Sequence, residues 1–235
     1  MHFWSGYYCL VDQEGVTTDL SQTIAISDVI SIVSDLGNNV PDKSWMLYLL
    51  ELFNKQNIPV ELNLICSFND DGKFHAIFGG SNKYEFKIKP IVGHSYLRQI
   101  IMESSKQRIG YHLKDENSGQ TDSIFFDVDK NSFDFSISKH FTGLEWHNRI
   151  GNMPYPVRYE VQISNLAYGI NDNSEDLESL VYFPYNKLFP DNEGFAKDYP
   201  VSLYNFETRN GFITYRIGPG RYDKGMVNKF FKSNL

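Results

Sequence analysis

The chain has 235 residues, 22 Lys and Arg against 29 Asp and Glu, and a formal net charge of −7. That length holds one large β domain, or one domain with a substantial extension. There is no Lys/Arg cluster to serve as a phosphate footprint, which excludes a nucleic-acid binder, and no apolar run is long enough to span a membrane.

Aromatic residues make up 15% of the chain, with 15 Tyr and 18 Phe. Such residues favour strands first, and build sugar- or peptide-binding surfaces second. Met1–Trp4 lacks a basic segment followed by a long apolar one, so no secretory signal is visible. Cys9 and Cys66 are not in a C-x-x-C pair, which disfavours zinc and thioredoxin chemistry. We read both as small buried hydrophobes, with one bridge as the alternative.

In chain order, Phe3–Val11 is an aromatic strand ending at the turn Asp12–Gly15. Thr23–Leu36 is ambiguous. Ile26, Val29, Ile30, Val33 and Leu36 have helical spacing, with Ser27 and Asp28 as caps and Gly37 as a stop. Yet β-branched residues lose rotamer freedom in helices, and Ile24, Ile26 and Asp28 also alternate, so the residues themselves leave helix and strand open. Ser44–Phe53 is nearly all apolar, and periodicity does not separate buried strand from buried helix there.

Pro59 opens a strand with Val60, Leu62, Leu64, Cys66 and Phe68 on one face and Glu61, Asn63 and Ser67 on the other. Asn69–Gly72 turns it into Lys73–Phe78. Tyr84–Lys89 alternates, and Leu97–Glu103, Ile109–Lys114 and Ser123–Val128 follow. Phe133, Phe135 and Ile137 alternate with polar residues before Phe141–Asn148, which places Glu145, Trp146 and His147 side by side. Val157–Ile163 is another alternating run, and the acidic Asn171–Glu178 reads as a surface loop or linker. Val201–Phe206 and Phe212–Ile217 flank a hairpin signal at Asn210–Gly211.

These segments predict an all-β fold: an antiparallel β-sandwich or jelly roll over residues 1–170. Residues 171–235 carry too few strands for a core of their own, and are expected to pack on the sandwich as an extension.

Few residues are spaced for chemistry. Asp127 and Asp129, at the end of a strand-like run, form the one good acid pair at strand spacing, and read as a strand end and turn. They begin like a calcium loop, but the glycine and glutamate that such a loop needs further on are missing. No Gly-x-Ser-x-Gly elbow and no His-Glu-x-x-His pair occurs, so no metal or cofactor is expected. His75, His94, His112, His140 and His147 are scattered; His140 and His147 flank the Glu145 motif. A carboxylate beside an indole is a candidate general acid, since apolar surroundings disfavour its charge.

The order of several short motifs resembles the glutamic peptidases, acid endopeptidases on a concanavalin A-like sandwich of the lectin–glucanase superfamily. Trp4-Ser-Gly6 resembles their Trp-Ala-Gly opening, and Asp28–Ser31 running on to Val40-Pro41 their next strand, which implies strand rather than helix at Ile26–Leu36. Ser44-Trp45 resembles the strand after that, and Ile88–Phe126, with Gly93 and Asn117–Gly119, their long hairpin. Leu144–Trp146 resembles their Ala-Glu-Trp element, so the likeness covers residues 3–168. It implies a catalytic Gln and Glu on one concave sheet. Asn63 matches the Gln, while Arg149 stands at the Glu position and has no basic lone pair to offer; a slipped match makes Glu145 the reactive acid. It also implies an extracellular setting.

The leading expectation is therefore a non-catalytic sandwich whose concave face binds an extended glycan or peptide. Trp4, Trp45, Glu61, Asn63, Glu145, Trp146, His147 and Arg149 are its candidate ligand residues. The alternative is a hydrolase, acid-endopeptidase-like or glycosidase-like, using Glu145 with Asn63 or Glu61. A structural domain without a ligand groove is the third reading.

Overall fold

The computed structural model describes residues 2–10, 23–32, 44–67, 72–129, 131–148, 161–170, 173–175, 182–189, 201–209 and 212–219. Fifteen strands lie among them. In order they are β1 (His2–Leu10), β2 (Thr23–Ile32), β3 (Ser44–Asn54), β4 (Pro59–Ser67) and β5 (Lys73–Phe78). Then come β6 (Asn82–Glu85), β7 (Ser95–Glu103), β8 (Arg108–Asp115), β9 (Thr121–Asp127) and β10 (Ile137–Asn148). The last are β11 (Val161–Ile170), β12 (Asn173–Glu175), β13 (Tyr182–Phe189), β14 (Val201–Arg209) and β15 (Phe212–Pro219). No helix of the described residues is long and apolar enough to cross a membrane.

The strands form two antiparallel sheets. The front sheet runs β13-β1-β10-β3-β4-β5-β6, and the back sheet β14-β15-β11-β2-β7-β8-β9, with β12 paired to β11. The chain is thus an all-β sandwich. Its core is filled from both sides: Met46, Tyr48, Leu50, Leu62 and Leu64 from the front, Ile26, Ile30, Tyr96, Ile100 and Tyr111 from the back.

The alternation of β2 decides the ambiguous segment. Ile24, Ile26, Asp28, Ile30 and Ile32 are all buried, while the residues between them are half-buried. A helix would have carried that set around its axis rather than along one face. The apolar run of β3 is a strand, buried on both sides at its middle, where Leu49 and Glu51 are covered as well as Tyr48 and Leu50.

Three segments depart from expectation. β6 stops at Glu85, and beyond it Phe86 and Ile88 stay buried on irregular backbone; Phe86 N–H donates to Phe74 O. Residues 131–136 are not strand either, although Phe133 and Phe135 are buried. There Asp129 caps a turn, accepting from the Asn131 amide groups, so burial and alternation occur without a ladder. The acidic stretch expected as loop contains β12, which pairs with the end of β11.

Of the expected strand at 157–163, residues 161–163 begin β11, and 157–160 lie outside the described residues. β14 and β15 pair across the hairpin signal, with Arg209 opposite Phe212; Asn210 and Gly211 themselves lie outside the described residues. β13 lies beside β1, and β15 beside β11, so strands from beyond residue 171 extend both sheets.

One ion pair crosses this core. Asp28 and Arg98 are cross-strand neighbours on β2 and β7, both without solvent exposure. Arg98 Nε donates to Asp28 Oδ1 at 2.8 Å and Nη2 to Oδ2 at 2.6 Å. Nη1 reaches the front sheet, donating to Tyr48 O at 2.7 Å and Leu62 O at 3.0 Å, and Nη2 also faces Leu49 O at 3.5 Å. All five guanidinium donors are engaged.

Candidate active site

The polar residues of the front sheet collect on the side away from the core. Alternation along β4 sends Val60, Leu62 and Leu64 inward, and Glu61 and Asn63 to the outer face. In the ladder Glu51 of β3 pairs with Glu61, and on its other side with Phe141 of β10. Asn63 pairs with His75 of β5. Directly opposite residues share a face, so β3, β4, β5 and β10 bring Glu51, Glu61, Asn63, His75 and Phe141 to one surface.

Glu51 and Glu61 are hydrogen-bonded to each other. Asn63 Nδ2 donates to Glu61 Oε2 at 2.7 Å. Burial first, then the negative charges of Glu61 and Glu145, pushes the Glu51 carboxyl well above its ordinary value; the Lys139 ammonium opposes this weakly. Burial also raises Glu61, against the hydrogen bonds from Asn63 and Glu51. The physical content is one proton shared by two carboxyls, held mainly on Glu51, because two adjacent carboxylates in a desolvated place do not both ionise. Glu51 and Asn63 are buried, whereas Glu61 is half-buried, so solvent reaches the pair from the Glu61 side. Glu51 Oε2 and Asn63 Oδ1 are buried without a hydrogen-bond partner among the described residues.

Glu145 is half-buried and stands opposite Leu47 on β3, four residues from Glu51. That is about 13 Å along the strand. Its charge acts on both Glu51 and Glu61. Lys139 Nζ lies 4.6 Å from the centroid of Phe53, at the Glu51 end of the same face. Behind the sheet, His140 is buried next to Arg98; burial, then that charge, lowers its pKa to about 3, so the imidazole is neutral. Tyr111 reaches from the back sheet and donates to Ile77 O at 2.9 Å, holding β5.

The other residues expected at a groove are spread along the ladder. Trp45 is half-buried and lies six residues from Glu51 on β3, opposite His147 and Ser67. Trp4 pairs with Glu145. In register Trp146 stands opposite Met46, and His147 opposite Trp45. Arg149 lies outside the described residues.

β4 and β10 belong to one sheet, with β3 between them supplying Glu51. The close carboxyl pair is Glu51 and Glu61, across the β3–β4 ladder. Glu51 was absent from the candidate residues, although a lone acid inside the apolar run Ser44–Phe53 is an informative signal, since charged residues are rarely buried without purpose or partner.

The fold is that of the glutamic peptidases. Scytalido-glutamic peptidase with a transition-state analog inhibitor matches with a TM-score of 0.57 and 10% identity, over 92% of this chain and 98% of that one. The same peptidase with a peptide-based transition-state analog matches at 0.54 and 9%, over 90% and 96%. SCP-B, a member of the eqolisin family of peptidases in complex with the tripeptide Ala-Ile-His, matches at 0.52 and 11%, over 92% and 98%. Identities this low establish the architecture alone. No protein-family model and no curated protein sequence matches the chain.

Proposed function

We propose that the chain is an acid-active hydrolase of an extended polymer, with a peptide as the substrate class. The observation that carries this reading is the hydrogen-bonded Glu51–Glu61 pair, two carboxyls side by side in a buried place, steadied by Asn63 and reached by solvent on the Glu61 side. Glu61 is the group placed to hand that proton to a leaving group or carbonyl oxygen. Glu51 acts behind it as the proton reserve, and Asn63 holds its orientation. Glu145, on the same face, is the carboxylate available to draw a proton from water. Fold neighbours that carry peptide-like inhibitors or a tripeptide support a peptide substrate.

Digestion of casein between pH 3 and 7, set beside a glycan array, tests this. We expect cleavage strongest at acidic pH, where the pair retains its proton, and a loss of about 10²–10⁴-fold in Glu61→Gln or Glu145→Gln. Cleavage that persists in both variants would refute the assignment. The second reading, a groove that binds a polymer without cutting it, is favoured by the burial of Glu51 and Asn63, which leaves only Glu61 of this group in reach of a ligand. Glycan or peptide retention with no cleavage at any pH would select it.

A further inference from the structure

The carboxyl pair has a counterpart on the other side of its sheet. The β3–β4 ladder runs from Trp45↔Ser67 to Tyr48↔Leu64, and resumes in unchanged register at Glu51↔Glu61. Between those points Leu49 and Leu50 face Asn63 and Leu62 without ladder pairing. The interruption coincides with the Arg98 guanidinium, which takes Tyr48 O, Leu62 O and Leu49 O from behind. A gap in the middle of a central ladder leaves carbonyls that need donors, and a planar five-donor fork reaching in from the facing sheet supplies them. The residues at the gap carry the site: Asn63 lies within it, and Glu51 and Glu61 pair at its edge.

We propose that Arg98, aimed by Asp28, is a positioning residue for the Glu51–Glu61 pair. By bonding both strands at the gap it sets their separation, and so the distance between two carboxyls projecting from the opposite face. Asp28 fixes the plane of the fork through two hydrogen bonds, and Thr142 of β10 bonds to the same carboxylate. The unit thereby touches three of the strands that form the site face. This inference rests on the hydrolase reading for its kinetic consequence but not for its geometric one.

The test titrates ¹³C-labelled Glu carboxyls by NMR in the wild type, in Arg98→Met combined with Asp28→Asn, and in Arg98→Lys, with casein kinetics alongside. The double variant removes the fork without stranding a charge. Arg98→Lys keeps a charge opposite Asp28 but does not bridge two strands. We expect the wild type to show two coupled carboxyl titrations, one displaced upward, and both variants to lose that coupling. The kcat for casein should fall about 100-fold with KM changed far less, as for a misplaced catalytic group.

A folded double variant or Arg98→Lys protein with the wild-type Glu titrations overturns the proposal. So does failure of both variants to fold, which would make Arg98 a structural residue only. If the wild type cleaves nothing but its coupled titrations vanish in a folded variant, the positioning role stands and the hydrolase reading falls.

Discussion

Glu51 is the residue on which the site's chemistry turns, and it also opposes the fold. Its raised pKa means that the folded chain binds a proton more tightly there than the unfolded chain does. The sign follows: its contribution to stability is complete below the ordinary carboxylate range and is lost as pH climbs from that range toward the raised value. Glu51→Gln keeps a donor toward Glu61 and carries no charge to desolvate. We therefore expect it to match the wild type in stability near pH 3.5 and to exceed it by about 1–3 kcal/mol at pH 7, read from urea melts at the two pH values. Equal midpoints at pH 7 would mean that Glu51 is not held as the protonated partner. Function and stability are opposed at this position, as is common where an active group is buried. The sequence showed an acid in an apolar run, but nothing in it named Glu61 as the partner.

At the level of elements, strands form where alternation and β-branched residues agree, as in β2 and β4, and they stop where turn chemistry wins, as at Asp129. Cross-strand neighbours then decide details that a single strand does not contain. Gly110 of β8 lies opposite Phe125 of β9, whose ring covers it; a Cβ at residue 110 would sit 2.6 Å from the ring edge. Arg108 in turn stacks on that ring, 4.4 Å from its centroid. Gly110→Ala should therefore displace Phe125 and undo the Arg108 stack, lowering stability by about 1–3 kcal/mol in a thermal melt. The combination with Phe125→Ala should cost no more than Phe125→Ala alone, since the clash is then gone. Additive losses would show that the two residues do not meet.

Across the whole molecule, strands far apart in the chain close each sheet: β1 pairs with β10 and β13, and β11 pairs with β2 and β15. Removing everything after residue 170 would leave β1 and β11 with unpaired edges, which are templates for association. A 1–170 chain should therefore elute as soluble aggregate, earlier than the full chain, or fail to express in soluble form, as read by size-exclusion chromatography. A monomeric, cooperatively melting 1–170 chain would instead establish it as a self-sufficient sandwich with a dispensable extension. The pairing of distant strands also explains why the sequence shows an extension packed on the sandwich but not its partners: the segment has too few strands for a core of its own, and its edge partners lie far upstream.

By itself the sequence determined the class of fold, the alternation that puts Glu61 and Asn63 on one face of β4, and the likeness to glutamic peptidases through Trp4–Gly6 and Leu144–Trp146. Those are local properties, set by a period of two residues and by short motifs. The tertiary structure alone decided that β3 stands between β4 and β10, that Glu51 meets Glu61, and that Arg98 enters the ladder behind them. The reason is physical. Alternation says which way a side chain faces, but which strands become neighbours, and in what register, follows from packing two sheets around one core.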